Sequence, residues 1–441
     1  MNGILNLLGI NKKQLQSVFT PANAATINYI NRGALEKQID RALKIQGMQL
    51  IVYGHSGSGK TTIVRRVLER NKRNSIRTSC ISTTTLEELI ISAFDKLNPF
   101  YKSKHSSKYS HRISTGLKNS YKGIETTLSY DITMENSTEY QRVLPVQLSF
   151  HKLAEFLGAA NCVWLIDDFH KVTDEEKTKL SEVMKSFVDI SNDYPKVKII
   201  AIGAVNSPRE VVNYRDELRP RLSEVYIPLL SSEELKKILI NGGKLLNVEF
   251  EEKIIEKTIE YSNSLGSICH NLAYYHCELS DVLKTKRINE KIPYSVFPSS
   301  IEEYLKEKSD TYQDKLDMIL KQRTRKYENV KLILMAFIEL EKEEVNHNEI
   351  LTKIRDLHPD YPSGNCTTYL KSLISYKDTE ILRFDENSGR YSFSDPFFKA
   401  YCKMALKKVE EIDIESEMLL DEVLRQIKIE ITNSQIKINK N

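Results

Sequence analysis

The residues whose types and spacing could do chemistry lie in a glycine-rich stretch, IVYGHSGSGKTT, between Ile51 and Thr62. It contains the pattern G-x-x-x-x-G-K-T between a short apolar run and a segment with the periodicity of an amphipathic helix. Glycines allow the backbone to curl so that successive N–H groups point into one concavity, which suits phosphate oxygens. A helix that begins there adds about half a positive charge. The stretch therefore predicts a loop that binds a nucleoside triphosphate.

Two side chains are expected to act together with the backbone of this loop. Lys60 should reach the β- and γ-phosphates, and the hydroxyl of Thr61 should ligate Mg²⁺. A glycine-rich surface loop is the alternative, but it would not require a lysine and then a threonine after a buried strand. The residues predicted to bind ATP here are Gly54, His55, Ser56, Gly57, Ser58, Gly59, Lys60, Thr61 and Thr62.

A second group of candidates consists of Asp167 and Asp168, which directly follow the apolar run VWLI. A buried strand of a parallel sheet delivers the residue at its carboxyl end to the ligand side of the sheet. Asp167 is therefore predicted to hold the Mg²⁺ shell, and Asp168 is predicted to orient the attacking water. An acidic turn after a core strand is the alternative for both residues.

Three further residues extend the predicted catalytic site. Asn206 ends the apolar run IIAIGAVN, where its amide could touch the γ-phosphate or the water. Arg219 and Arg221 lie in LRPRL, where an arginine can project into the nucleotide site of a neighbouring subunit and contribute about 10³–10⁵ in rate. A strand-ending turn residue is the alternative for Asn206, and a solvated helix end is the alternative for the arginines.

The elements that must position these residues follow from hydrophobic periodicity. Over residues 1–228, continuous apolar runs alternate with amphipathic helix patterns, which predicts an α/β fold with a parallel sheet flanked by helices. The stretch 98–146 interrupts this pattern as a polar insertion with an alternating segment typical of a hairpin. The stretch 229–298 shows helix patterns and is interpreted as a small helical lid.

The last part of the chain predicts a separate module. A charged helical connector is expected over 299–326, and a helical tail over 409–441. Between them, residues 327–408 show three helices, the second capped by Asn346, and then two strands about an Asn-Ser-Gly turn. This order is typical of a winged helix-turn-helix domain. Its charge is only modestly basic, so DNA binding and protein contact both remain open.

Taken in order, the phosphate loop, the paired acids, IGAVN, the PRL arginine, the lid and the winged helix resemble the initiator-type AAA+ ATPases and their STAND-type relatives. The resemblance implies ATP and Mg²⁺ as cofactors, with IGAVN as sensor 1 and Arg221 as the arginine finger. It also implies an adenine-side box at NRGALEKQIDRAL with Arg32 near the nucleotide. His270, beside Cys269, falls where these proteins have their sensor-2 arginine, which places His270 among the expected nucleotide contacts.

Two departures from the family pattern favour a switch with slow or conditional hydrolysis over a motor. The second acid of the pair is usually Glu in this family, and here it is Asp168. The sensor-2 arginine is replaced, because Cys269 and His270 occupy its place. The resemblance implies assembly into a homo-oligomer or with an effector protein, in mobile-element control, replication-like loading or antiphage defence. An ATP-binding scaffold with little turnover, which controls a separate effector and binds no DNA, is the alternative function.

Composition limits the remaining classes. The chain has 441 residues, of which 28% are charged, and its net charge of +4 is too small to argue for nucleic acid by itself. The basic, tyrosine-containing stretch Tyr101–Lys122 is either a nucleic-acid surface or a solvated insertion. Without a long apolar run or an export signal, we expect a cytoplasmic protein without a membrane anchor. The cysteines and histidines in SICHNLAYYHC do not have the spacing of a structural zinc site, and they are expected to take part in ordinary helix packing.

Two other classes of P-loop protein are disfavoured. A P-loop kinase would need a lid for its acceptor substrate, and the sequence shows none. A GTPase would need an N-K-x-D motif after the loop to read guanine, and none follows.

Overall fold

The chain divides into two units by its internal contacts. Ala22–Ser231 carries the glycine-rich loop and is called the sheet unit, and Met1–Pro21 together with Ser232–Asn441 is called the helical unit. The computed structural model describes residues 12–21, 26–97, 100–102, 140–142, 149–205, 207–321, 326–375, 380–386 and 388–407.

Helices and strands alternate through the sheet unit, and helices dominate the helical unit. The helices are α1 (Leu15–Val18), α2 (Gly33–Lys44), α3 (Lys60–Arg70), α4 (Leu86–Lys96), α5 (Phe150–Ala159), α6 (Asp174–Ile190), α7 (Pro208–Val211), α8 (Ser232–Leu246), α9 (Glu252–Ser262), α10 (Gly266–Glu278), α11 (Phe297–Glu307), α12 (Asp314–Leu320), α13 (Asn329–Glu339), α14 (His347–Leu357), α15 (Ser363–Ile374) and α16 (residues 396–407). The strands are β1 (Gln49–Tyr53), β2 (Asn74–Ser79), β3 (Phe100–Lys102), β4 (Tyr140–Arg142), β5 (Cys162–Asp167), β6 (Lys198–Gly203), β7 (Leu222–Tyr226), β8 (Val248–Phe250), β9 (Glu290–Ile292), β10 (Val345–Asn346), β11 (Leu382–Asp385) and β12 (Arg390–Phe393).

A five-stranded parallel sheet forms the centre of the sheet unit, in the order β2-β5-β6-β1-β7. Strands β5 and β6 are buried along their whole length, as expected for central strands covered on both faces. The prediction of an α/β fold with a parallel sheet flanked by helices is therefore confirmed. Because all five strands run the same way, the segments that follow them meet at one edge.

Alternation along each strand divides the core into two layers. Leu50 and Val52 of β1 pack with Leu165 of β5 on the side of α2 and α3. Ile51 and the single tryptophan, Trp164, pack on the opposite side, against α4, α5 and α6. Trp164 is fully buried, and its indole N–H donates to Thr78 at 2.9 Å. The two layers cover both faces of the sheet that ends at the phosphate loop.

The predicted insertion is described only at its two ends. Strands β3 and β4 form a short antiparallel pair, with Phe100 opposite Arg142. The alternating segment expected to form a hairpin, and most of the basic stretch up to Lys122, lie outside the described residues.

The C-terminal part of the helical unit contains three helices, α13, α14 and α15, followed by the antiparallel pair β11 and β12. The sequence does not indicate β10, which pairs with β12 and makes a three-stranded sheet in the order β10-β12-β11. Asn346 caps α14 and forms a capping box with Glu349, which confirms the predicted cap. The predicted tail lies outside the described residues. Within the ranges given above, no helix is both long and apolar enough to cross a bilayer.

Candidate nucleotide-binding site

The glycine-rich loop joins the end of β1 to the start of α3. Gly54, Gly57 and Gly59 have φ values of 141°, 77° and 85°, which favour glycine. A Cβ on Gly54 would lie 2.2 Å from the carbonyl oxygen of Ile227, so a side chain there would collide with the backbone. The N–H of Gly54 donates to the carbonyl of Val205 at 3.0 Å, which ties the loop to the segment that follows β6.

Lys60 begins α3 and points back into the loop. Its ammonium donates to the carbonyl oxygens of Gly54 at 3.0 Å and His55 at 2.7 Å. The residue is 8% exposed, and burial lowers the pKa of Lys60 from 10.5 to about 8, although Asp167 and Asp168 act in the opposite direction. A partly desolvated ammonium attracts an anion more strongly than a surface lysine does. Lys60 is therefore placed to bind phosphate.

Asp167 and Thr61 meet where β5 ends beside the start of α3. The Thr61 hydroxyl donates to Oδ2 of Asp167 at 3.0 Å. The Asp167 side chain is only 6% exposed, and a carboxylate buried to this degree needs a compensating cation. Oxygen ligands from a loop threonine and a strand-borne carboxylate are those that hold Mg²⁺ in P-loop NTPases. The two residues thus fit the metal predicted from the sequence.

Arg77 is a member of this site to which the sequence does not point. Its guanidinium donates to Oδ2 of Asp167 from Nε at 3.0 Å and from Nη2 at 2.5 Å. In the parallel register, Arg77 lies opposite Leu165, two residues before Asp167, and its long side chain spans the difference. An arginine in the alternating strand NSIRTS is a weak signal, because the identity of the neighbouring strand is not readable from the sequence.

Asp168 lies next to Asp167 but has a different environment. Its φ of 60° is in the left-handed region, where non-glycine residues carry strain and often mark functional sites. Its N–H donates to Oδ1 of Asp167 at 3.1 Å. The Asp168 carboxylate is 44% exposed and accepts from the ammonium of Lys171 at 2.7 Å. The predicted role of Asp168 in orienting water stays a prediction.

His170 connects the segments that follow β5 and β6, and it also was not expected from the sequence. Its Nδ1 accepts from the N–H of Ala204 at 3.2 Å. Burial lowers the pKa of His170, so the neutral form that can accept this bond is favoured. A Cβ on Gly203 would lie 2.6 Å from Cγ2 of Val211 and 3.2 Å from the Cβ of His170, so the end of β6 has little room for a side chain. Asn206, the predicted γ-phosphate contact, follows this segment and lies outside the described residues.

The two candidate finger residues lie together in a 3₁₀ turn, Arg219–Arg221, directly before β7. Both are exposed. Their exposure leaves them accessible to another molecule, and their predicted catalytic role in a neighbouring subunit stays a prediction.

Arg32 precedes α2 and joins the phosphate loop to the segment after β7. Its guanidinium donates to the carbonyl of Ser58 at 3.4 Å, of Pro228 at 2.8 Å and of Leu229 at 3.2 Å. These contacts give Arg32 a role in holding the loop. Its expected proximity to the nucleotide stays a prediction.

His270 lies in the helical unit, on α10. It is 5% exposed, its Nδ1 accepts from the N–H of Thr20 at 3.3 Å, and burial lowers its pKa to about 4. Its predicted contact with the nucleotide stays a prediction. His276, on the same helix, is fully buried between the hydroxyls of Thr258 at 2.9 Å and Ser300 at 2.7 Å. Among the residues that the structure describes, no group of three His, Cys, Asp or Glu side chains could hold a metal ion.

A match to a protein-family model covers most of the sheet unit. Residues 46–207 match the family model of the AAA domain. These residues include the phosphate loop, the paired acids and the end of β6. The fold and the loop geometry are those of an α/β P-loop NTPase domain, and over residues 46–207 the sheet unit is similar to the AAA domain.

No curated protein matches the chain. Among solved structures, the chain is similar to the Walker-type ATPase PABY2304 of Pyrococcus abyssi, with 14% identity, coverage of 85% of this chain and 96% of that chain, and a TM-score of 0.48. It is similar to Cdc6p of Pyrobaculum aerophilum, with 11% identity, 89% and 98% coverage, and a TM-score of 0.40. It is also similar to the ORC2 protein of Aeropyrum pernix, with 12% identity, 92% and 99% coverage, and a TM-score of 0.46.

Proposed function

We propose that the protein is a Mg²⁺-dependent ATPase whose nucleotide state operates a molecular switch. The observation that carries this proposal is the meeting of Lys60, Thr61 and Asp167 at the carboxyl edge of the sheet, next to a loop whose three glycines have positive φ values. The three side chains supply a phosphate-binding ammonium and two oxygen ligands for a hard cation.

In this mechanism the chain positions the triphosphate and the water. Loop N–H groups bind phosphate oxygens, and Lys60 exchanges its bonds to the Gly54 and His55 carbonyls for bonds to the β- and γ-phosphates. Thr61 and Asp167 hold Mg²⁺, which when bound neutralises charge on the phosphates. Asp168 accepts a hydrogen bond from the attacking water and so orients it.

Slow basal hydrolysis is part of the proposal. The carboxylate of Asp168 is engaged by Lys171 at 2.7 Å, so in this state one of its oxygens is occupied. A water that must compete with an ammonium for this carboxylate is poorly oriented. Hydrolysis then depends on an event that releases Asp168, which is a property of a switch.

The output of the switch is assigned to the C-terminal module, α13 to α15 with the sheet β10-β12-β11, which we interpret as a winged helix. Lys371 is exposed on α15. Phe384 on β11 is 41% exposed, and the centroid of its ring lies 4.7 Å from that of Tyr391. An exposed cation and an exposed aromatic within one module are group types that suit contact with nucleic acid or with a partner protein. The settings that the family resemblance implies are mobile-element control, replication-like loading and antiphage defence.

Self-assembly is proposed to complete the catalytic site, with Arg221 entering the site of a neighbouring copy. The test is an ATPase assay of wild type, Lys60→Ala, Arg221→Ala and an equimolar mixture of the two variants, together with gel filtration in ATP and ADP. Each variant alone should lose at least about tenfold in rate, because Lys60 binds the phosphates and Arg221 stabilises the transition state. The mixture should recover part of the activity, since a mixed pair contains one intact site.

Arg215→Ala, an exposed arginine just before the same turn, serves as the matched control and should keep the wild-type rate. A mixture as inactive as its parts would reject the finger acting between copies. Failure of the wild type to take up ATP at millimolar concentration with Mg²⁺ would reject the proposed function as a whole.

The alternative function is an ATP-binding scaffold with little turnover that controls a separate effector protein. The ion pair between Asp168 and Lys171 favours it, because a permanently engaged carboxylate would leave ATP unhydrolysed. DNA-stimulated turnover that falls steeply with salt would support the switch that engages nucleic acid. Unchanged turnover with DNA, together with co-purification of an identified effector, would support the scaffold.

A further inference from the structure

We propose that Arg77 is a positioning residue that competes with Mg²⁺ for Asp167 and thereby sets the metal affinity of the nucleotide site. The inference rests on the proposed function, because it concerns the same site. It assigns a regulatory property to a residue that neither the phosphate loop nor the paired acids include.

The first argument is the hydrogen-bonding capacity of the carboxylate. Oδ2 of Asp167 accepts from the Thr61 hydroxyl at 3.0 Å and from Nε and Nη2 of Arg77 at 3.0 and 2.5 Å. Oδ1 accepts from the N–H of Asp168 at 3.1 Å. A carboxylate oxygen has two lone-pair sites, so three donors already saturate Oδ2. A metal, or a water bound to it, can therefore reach Oδ2 only if Arg77 gives up contacts, whereas Oδ1 keeps one acceptor site.

The second argument is charge. The guanidinium carries a positive charge that compensates a carboxylate whose side chain is 6% exposed. A divalent cation held by the same carboxylate would lie close to this positive charge and be repelled by it. Arg77 and Mg²⁺ therefore compete for Asp167, most directly for Oδ2.

The third argument is that Arg77 can leave. Its side chain is 50% exposed, whereas that of its partner is nearly buried. The guanidinium can move into water without opening a cavity, while Asp167 stays fixed at the end of β5. Arg77 thus holds Asp167 in place before metal loading and yields when the metal enters.

The experiment measures the Mg²⁺ dependence of nucleotide binding with a fluorescent ATP analogue, without using hydrolysis. Wild type, Arg77→Gln and Arg77→Lys are titrated with Mg²⁺ at fixed analogue, and the affinity is also measured in EDTA. Arg77→Gln should need about tenfold less Mg²⁺ for half-maximal effect, because the competing charge is gone. Arg77→Lys keeps the positive charge but loses the two-pronged guanidinium contact with Asp167. The Mg²⁺ concentration at its half-maximal effect should therefore lie between those of the wild type and Arg77→Gln.

Arg65→Gln is the matched control, since it removes the same charge from an exposed position on α3, the helix that follows the loop. Its Mg²⁺ midpoint should equal that of the wild type. A midpoint for Arg77→Gln that equals or exceeds the wild-type value would overturn the inference, provided that far-UV circular dichroism shows a folded protein. If Arg77→Gln is unfolded, Arg77→Lys decides the matter, because a midpoint no lower than wild type also rejects competition.

The two levels of the argument fail differently. Loss of Mg²⁺-dependent binding in the wild type would reject the proposed function. Wild-type binding with unchanged midpoints in both Arg77 variants would reject only the role of Arg77.

Discussion

At the scale of single residues, the charged groups of the candidate site are each held by contacts within the chain. Lys60 is satisfied by two backbone carbonyls, Asp167 by Arg77, and Asp168 by Lys171. Each pair uses the group that ATP or Mg²⁺ would need. The affinity of the site is therefore the difference between its ligand contacts and the internal contacts they replace.

The pair of Asp168 and Lys171 leads to a prediction on turnover. Both side chains are close to half exposed, and exposed ion pairs contribute only about 0.2–1 kcal/mol to stability. Lys171→Gln should therefore fold normally and free the carboxylate for the attacking water. We expect the kcat for ATP to rise by about threefold, about 0.7 kcal/mol in the barrier, with KM little changed.

Steady-state ATPase kinetics check this prediction. Lys185→Gln breaks a comparable exposed pair with Glu217 on another part of the unit and should leave kcat unchanged. A lower kcat in Lys171→Gln would mean that Lys171 assists Asp168 and does not restrain it.

At the scale of elements, the sequence predicts the strands that are buried on both faces. VWLI and IIAIG are continuous apolar runs, so the sequence predicts β5 and β6, and its glycines predict the turn between β1 and α3. The sequence does not predict which strands are neighbours in the sheet, because the order β2-β5-β6-β1-β7 depends on packing between distant segments. Arg77 enters the site only through that order, since it needs β2 beside β5.

The sequence does not predict the role of His170 or the strand β10 for the same reason. A histidine two residues after the paired acids has no recognisable partner until the N–H of Ala204 is placed beside it. The two residues of β10, Val345 and Asn346, are too few for a periodic pattern and are defined by their pairing with β12. Local patterns therefore predict the elements, and tertiary neighbours define the contacts.

An ion cluster connects α9 to α16 within the helical unit. Glu260 on α9 accepts from Lys407 at 3.0 Å and lies 3.7 Å from the ammonium of Lys403, which also donates to the Glu260 carbonyl at 3.0 Å. The Lys403 side chain is only 7% exposed. Burial acts to raise the pKa of Glu260, but hydrogen bonds from Lys407 and Lys257 hold that pKa below its ordinary value of 4.5.

Glu260→Gln should therefore lower the free energy of unfolding by about 2 kcal/mol at pH 7, because Lys257, Lys403 and Lys407 lose a shared carboxylate partner, although the nearly buried Lys403 keeps Glu341 at 3.3 Å. The pKa of Glu260 is depressed in the folded state, so its contribution is present above pH 4.5 and is lost as the pH falls through the folded value. Urea titrations at pH 7 and at pH 3.5 should show a difference that shrinks in acid. Glu256→Gln, exposed on the same helix, is the control and should have little effect; an equal loss in both variants would refute the role of the cluster.

At the scale of the whole molecule, the two units differ in what stabilises them. The glycine-rich loop, the paired acids and the tryptophan all belong to the sheet unit, whereas the α9–α16 cluster and the C-terminal sheet belong to the helical unit. A ligand that binds the loop should therefore stabilise the sheet unit directly. The chain offers a natural reporter for this, because it contains a single tryptophan.

Trp164 is fully buried on β5, three residues before Asp167, so its fluorescence follows the unfolding of the sheet unit. ATP with Mg²⁺ at about 100 times its Kd should stabilise that unit by about 2.7 kcal/mol, and the tryptophan transition should move to higher urea accordingly. Lys60→Ala should abolish the shift, while Arg215→Ala, outside the loop, should retain it. A tryptophan transition that does not move with ATP in the wild type would contradict binding at the loop. Far-UV circular dichroism in the same titration shows whether the helical unit shares the shift. A separate transition that does not move with ATP means that the stabilisation by nucleotide stays within the sheet unit. A common transition means that the stabilisation extends to the C-terminal module.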